Sequence, residues 1–467
     1  MANQTLLTNG SRISSVKQMY YSPVAQVQNT ILTEMYCFLS HVNPWPDPNN
    51  PPVPTEDQLS IKQLMKSIFV AKHINTNDIS PVIQRVDWAS NIIYDYYKDN
   101  VNMTQTNPNG SMLYNYYVRN KYDQVFKCLW NNSSNVNGIL VGAPSTLEPY
   151  FEPGTYNTNN VFQGSDGYKW KYIYTIDIAS KVNFMDTTWM PVKIEEYASN
   201  PLKYPSVGYG NIDVINVTDG GYGYGSANSE VYVNINGSNT SPTIATAVIV
   251  NGTIQDILVT SSGANYISAN VVITSSTGSG ATAIASVSPI GGHGSDPLSE
   301  LACRSVMITS TFSGPELDLN GNAMIPTDIT YYQLGLVSNP TSLSTSPDIA
   351  NSAIYKTSTD LIVAGGFGVY SSDELIYQGP SLAAATFTGT MLSFDPASNI
   401  IKLINTSGYL TTNVPVFGNS SSTVRTLLTY SIPDMITLSG DIMYIDNRSG
   451  ITRSSDGIEQ FKIVLDY

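Results

Sequence analysis

The stretch VTDGGYGYGSAN, beginning at residue 217, recurs as VTSSGANYISAN at residue 259, an offset of 42 residues. Gly221 aligns with Gly263, Tyr224 with Tyr266, and Ser226-Ala227-Asn228 with Ser268-Ala269-Asn270; a matching segment, IDVINVT or IQDILVT, leads into each copy. A repeat this small cannot bury an apolar face alone, so the two copies must stack or pair. After the first copy comes SEVYVNI, which alternates apolar and polar residues and is rich in β-branched and aromatic side chains, the pattern of a strand. The spacing of Gly221, Gly223 and Gly225 comes near a nucleotide fingerprint, but a phosphate cradle needs a helix N-terminus behind it. Here a strand follows, and the second copy drops most of the extra glycines. The loop reads as a strand-connecting turn with a packed tyrosine.

The rest of the chain fits that β character. Of its 467 residues 42% are hydrophobic, enough to fold unaided, while only 12% are charged. Asn, Ser, Thr, Gly and Tyr fill the gap, which suits short strands and tight turns more than surface helices. The net charge is −14 with no basic run, so the positive footprint needed for nucleic acid is missing. Cys37, Cys128 and Cys303 are scattered and odd in number, giving no zinc or disulfide framework; apolar neighbours mark Cys37 and Cys128 as buried thiols. The N-terminal stretch has no apolar leader core and no run approaches a membrane span, so a soluble protein made in the cytoplasm, with no membrane partner, is expected.

One helix is well signalled, over about 56–72. Thr55 with Gln58 forms a capping box, and Ile61, Leu64, Met65 and Ile68 fall on one face. Before it, the six prolines of NPWPDPNNPPVP (43–54) dictate an extended surface strap. QMYYSPVAQVQ (18–28) is a weaker helix candidate. From about Gly365 to Tyr430, short alternating segments between turn signals suggest a compact antiparallel barrel or sandwich of four or five strands. The expected fold is mainly β (α+β), a multi-domain antiparallel β-sandwich core with a few helices and two inserted small β modules. Residues 1–205, 291–349 and 433–467 form the core; 206–290 and 350–432 are the inserts. The ends of the first insert should then lie close together, with Pro205 and the GGHG at 291–294 as hinges. Replacing it by a Gly-Ser linker should cost little core stability.

Chemistry is sparse. His41, His73 and His293 are far apart, with His73 placed near the end of the expected helix, and neither H-E-x-x-H nor G-x-S-x-G occurs. His293 lies two residues from Ser295 on a glycine-rich backbone that seldom forms a catalytic pair. Asp318, Asn320 and Asn322 mimic the start of a calcium loop, but the glycine is misplaced and no glutamate closes it. Glu195-Glu196 and Asp373-Glu374 are adjacent carboxylates on segments read as exposed, whose strand neighbours point to opposite faces. The tyrosines between Tyr94 and Asn120 suit a core or interface better than a sugar platform. No catalytic residue, metal site or cofactor is expected.

Several segments, in order, resemble the T-even-type phage baseplate wedge protein, the gene-eight product family of contractile tails. They are the strap with Trp45; SPVIQRVDWAS, with Arg85, Asp87 and Trp88; VFKCLWN at 125; GSDGYKWKYIYTI, with Asp166, Tyr168 and Trp170; YYQLGLVSNP at 331; and the closing GDIMYIDNRSGITRSSDGIEQFKIVLDY, with Tyr444, Asn447 and Arg448. The two inserts, carrying Tyr224 and Tyr266 in the first, have no counterpart there. The resemblance implies a structural virion protein of the tail baseplate, assembled in the host cytoplasm and without catalysis. It implies a homodimer that joins other wedge proteins and helps transmit the contraction trigger. It also implies that Asp87 with Arg85 and Trp88, and Asn447-Arg448, make buried polar contacts that fix loops. The rival reading is a carbohydrate-binding tail-fibre or adhesin-type protein.

Overall fold

The computed structural model describes residues 8–21, 33–107, 111–152, 161–194, 210–225, 231–316, 324–343 and 354–467. The protein is mainly β, built from antiparallel sheets with few helices. It divides into two compact units: residues 1–17, 80–307 and 464–467, and residues 18–79 and 308–463. The carboxylates Glu195 and Glu196, the Asp318–Asn322 turn, Pro23, Pro205 and Ser226–Asn228 fall outside the described residues.

The first unit centres on a sheet in which Gln124–Asn131 pairs with Tyr168–Thr175, flanked by Tyr117–Arg119 and Val161–Gln163. Side chains alternate across a strand. Phe126, Cys128 and Trp130 therefore share one face with Tyr168, Trp170 and Tyr172, and Tyr94 and Tyr96 complete this aromatic core. Tyr168 stacks on Trp170 with ring centroids 5.5 Å apart, and Tyr94 meets Trp170 edge-on at 5.4 Å. The tyrosines between residues 94 and 117 are mostly core.

In the same unit the two repeats pair with each other. Ile215–Asp219 and Thr253–Ser261 lie antiparallel at the centre of a four-stranded sheet, with Ile215 opposite its own repeat-mate Ile257. Ile212 N–H donates to Ser262 O (2.8 Å), and 42 residues on, Ile254 N–H donates to Gly220 O (2.9 Å). Likewise Tyr224 N–H reaches Gly252 O and Tyr266 N–H reaches Gly210 O, both at 3.1 Å. These reciprocal bonds define a pseudo-two-fold relation between the copies. Val231–Asn236 and Asn270–Ser275 pair across it as a second, two-stranded layer. Both tyrosines are buried, and their hydroxyls accept from Ala281 N–H and Thr243 N–H. Gly221 and Gly263 have φ of 60° and 64°, and at Gly221 a Cβ would stand 2.5 Å from backbone of the facing loop. Glycine is needed here for a turn, and the next described element after the first copy is the strand Val231–Asn236.

The second unit holds a five-stranded sheet ordered Ile354–Lys356, Ile68–Ile74, Met35–Ser40, Thr330–Ser338, Asp441–Thr452. The helix before it is shorter than its periodicity suggests, Gln58–Ser67 rather than about 56–72. Its N-cap is Asp57, whose carboxylate accepts from Leu59 and Ser60 N–H, while Thr55 only donates to that carboxylate. IFVAKHI continues as a strand because β-branched and aromatic side chains find a partner in Met35–Ser40. Tertiary pairing outweighs local helical spacing here. His73 is accordingly a strand residue, bonded to Glu34 Oε2 at 2.6 Å, and caps no helix. Of the weaker helix candidate, residues 18–21 end a helix Asn9–Tyr21, and the remainder lies outside the described residues.

Residues 359–431 close into a barrel of six strands, more than the four or five expected from turn spacing. Its interior is filled by Leu361, Ile376, Met391, Ile401, Leu403, Val416 and Leu427. Glu374 is buried at 4% exposure, correcting the exposed reading of Asp373-Glu374. Its carboxylate accepts from the N–H groups of Ser371, Ser420 and Ser421 and from the Ser421 hydroxyl, tying two barrel loops together. Asp373 turns away to bond His41 Nε2 at 2.6 Å.

Candidate functional site

The residues picked out in the sequence gather into separate joints. In the first unit Asp87 takes Arg85 at 2.7 Å and also Arg119, and Arg119 continues to Asp123 at 2.7 Å. The expectation of buried contacts is corrected in one respect: the Asp87 side chain is 46% exposed, although the Arg119 side chain that it meets is only 10% exposed. Trp88 Nε1 donates to Ser145 Oγ, which donates in turn to Asp166 Oδ2. Asp166 also accepts from Thr146, Leu147 and Tyr168 N–H, so it organises a turn around the aromatic core. Arg85–Asp87 and Trp88–Asp166 thus pin successive parts of one segment.

In the second unit the strap is fastened at both ends. Trp45 Nε1 donates to Arg448 O at 2.8 Å, and Asn447 Nδ2 donates to Pro52 O at 2.8 Å. Gln333 Nε2 donates to Asn447 Oδ1 at 2.7 Å. Arg448 is exposed and its guanidinium pairs with Asp446, so these contacts hold the strap at the surface and not a buried loop as expected. Tyr444 is half-buried in the edge strand opposite Leu336.

Several of the buried charges belong to segments with no motif in the sequence. On the first unit's central strands, the face opposite the aromatic core carries Lys127, Lys169 and Lys171. Each meets an acid: Lys127 Glu300 at 3.0 Å, Lys169 Asp256 at 2.9 Å, Lys171 Asp213 at 3.4 Å. Lys127 and Lys171 stand directly opposite in register, a like-charge pair that these acids must neutralise. Asp213 and Asp256 belong to the duplicated module, which is clamped to the sheet by its own carboxylates. Asn216 adds a buried bond to Leu129 O, and Ile284 packs against the aromatic core.

Glu300 is the hub of this face. Oε1 accepts from Lys127 and lies 2.6 Å from His293 Nδ1, and Oε2 accepts from Gly294 N–H. Their side chains are 1% (Lys127), 2% (Glu300) and 3% (His293) exposed. The Tyr97 ring covers the ammonium at 3.7 Å, a cation–π contact. Burial opposes ionisation of Glu300, but Lys127, His293 and the Gly294 amide outweigh it and hold the carboxyl far below its ordinary range. Burial, reinforced by the Lys127 charge, pushes His293 below its ordinary value, leaving it neutral. A cluster so enclosed works as a clamp. In the sequence the alternation of lysines with aromatics in YKWKY and VFKCLW marks a strand with one solvated face, so no local signal announces this cover.

His41 shows the opposite balance. Burial would lower its pKa, but Asp373 and the Thr330 carbonyl raise it. Cys37, Cys128 and Cys303 are all buried, and burial pushes the Cys37 and Cys303 thiols up to about 12. Among the described residues no three His, Cys, Asp or Glu side chains are grouped to hold a metal ion, and no helix is long and apolar enough to cross a membrane. Comparison with protein-family models and with curated proteins finds no match to this chain.

Proposed function

We propose that this chain is a structural, non-catalytic component of the baseplate wedge of a contractile-tailed phage. It pairs with itself, joins neighbouring wedge proteins and passes on the contraction trigger within the assembled particle. The observation that carries this reading is how the residues shared with that family are spent. Trp45 and Arg448 join segments 403 positions apart, Asp87 gathers Arg85 and Arg119, and Asp166 ties Trp88's partner to the aromatic core. Side chains used up in internal joints suit a part that must keep its shape while its surroundings move.

Self-association has its own support. The hairpin of Ser134–Val136 and Ile139–Val141 presents Val136, Ile139 and Val141 at 50%, 67% and 48% exposure. Exposed apolar side chains clustered on one hairpin favour burial against another chain. Sedimentation of the purified protein at micromolar concentration is expected to give twice the monomer mass. A strict monomer at that concentration would count against the wedge reading.

A further inference from the structure

In the second unit a cleft of roughly 660 Å³ opens beside the proline strap. The strap and the helix Gln58–Ser67 form one side, the five-stranded sheet the floor, and the barrel the far wall, through Leu375, Thr390 and Asn405. That volume falls within the range of small-ligand pockets.

The chemistry of its lining is narrow. Among the described residues no charged side chain lines the cleft; amides, hydroxyls, prolines and apolar groups make up the wall. Asn43, Gln63 and Asn405 are exposed and Thr390 is half-buried, and none has a side-chain hydrogen bond among the described residues. Trp45 lines the same cleft, half-buried, fixed through Nε1 to Arg448 O and braced edge-on by Tyr332 at 6.4 Å. A tryptophan held by its edge presents a rigid apolar face at little entropic cost. Carboxamides both donate and accept, which matches a ligand whose groups do the same. With no charge in the wall, an ionic ligand would lose its hydration without compensation.

We propose that this cleft is a binding site for a neutral saccharide. One sugar ring lies against Trp45, and its hydroxyls exchange hydrogen bonds with Asn43, Gln63, Thr390 and Asn405. The site requires the barrel, which supplies one of its walls, and it stands independently of the wedge role. An acidic glycan lacks a cationic partner here. A proline-rich peptide would use the tryptophan but leave the amides on the barrel side unspent.

The test uses the full chain on an array of neutral and sialylated oligosaccharides and of proline-rich peptides. The strongest neutral oligosaccharide is then titrated against the parent and two variants by tryptophan fluorescence and calorimetry. Asn405 has a φ of 51°, so Asn405→Gly removes the carboxamide while keeping a backbone that glycine adopts freely. Gln63→Ala lies on an exposed helix face and leaves the fold intact. Each variant is expected to keep the parent melting temperature and to weaken neutral-saccharide binding by about tenfold, the loss of one or two hydrogen bonds. Overturning results are no neutral oligosaccharide bound at millimolar concentration, preference for sialylated glycans or peptides, or binding unmoved by both substitutions.

Discussion

Glu300→Gln is expected to destabilise the first unit by about 3–5 kcal/mol, the range for stranding one member of a buried ion pair. The amide keeps the shape of the carboxylate but leaves the Lys127 ammonium, 1% exposed, without a counter-charge. Gln also cannot accept from Lys127, His293 and Gly294 as the carboxylate does. Denaturant unfolding of the variant against the parent measures the loss. Joint replacement, Lys127→Met with Glu300→Leu, should recover only part of it: neither charge is then left alone, but His293 Nδ1–H and Gly294 N–H lose their buried acceptor. The pH dependence carries a sign. A carboxyl held below its ordinary pKa stabilises the fold above the unfolded value, near 4.5, and that contribution fades as pH falls towards the folded value. The gap between parent and Glu300→Gln should therefore narrow steadily below about pH 4.5. His293 acts at higher pH: below 6.5 the unfolded chain takes up a proton that the buried imidazole resists, so stability falls there too. A gap constant from pH 7 to pH 3 would refute an ionised Glu300.

Excising residues 206–290 behind a Gly-Ser linker is expected to destabilise the first unit by several kcal/mol, lowering its melting temperature by more than about 10 °C. This reverses the expectation from the repeat alone. The module's ends do meet, since Asn211 and Ser288 exchange two hydrogen bonds of 2.9 Å, so loop closure costs little. The loss lies elsewhere. The module covers Lys169 and Lys171 with Asp256 and Asp213, bonds Leu129 O through Asn216, and packs Ile284 against the aromatic core. Asp256→Asn provides a control that keeps the cover in place. Lys169, at 6% exposure, then retains the Ile215 carbonyl but no charge partner, and about 3 kcal/mol should be lost. Circular dichroism melts of both proteins decide the point; an excised chain melting near the parent would make the module an appendage.

What could be read in the sequence was what local pattern encodes. The strand texture, the 42-residue repeat, the buried Tyr224 and Tyr266 and the extended strap all follow from alternation, glycine placement and proline. Partner choice could not be read. Ile68–Ile74 continues a helical spacing yet pairs as a strand, because Met35–Ser40 is waiting for it. The lysines of YKWKY and VFKCLW look like the wet side of a sheet, and only the fold shows Asp213, Asp256 and Glu300 brought there over 42 to 173 residues of chain. Glu374 looked exposed beside Asp373, since nothing local announces that loop amides from Ser371, Ser420 and Ser421 converge on it. The amides of the strap cleft were equally silent, since Asn43, Gln63, Gln333, Asn405 and Asn447 come from five separate segments.

The structural reading is tested most directly by quantitative mass spectrometry of purified phage particles, counted against the tail-sheath and capsid proteins. The account predicts that this chain is present in every particle at a fixed low copy number, two for each wedge of the baseplate, and remains with the baseplate when tails are dissociated. Absence from purified particles, or a copy number that varies between preparations, would contradict it.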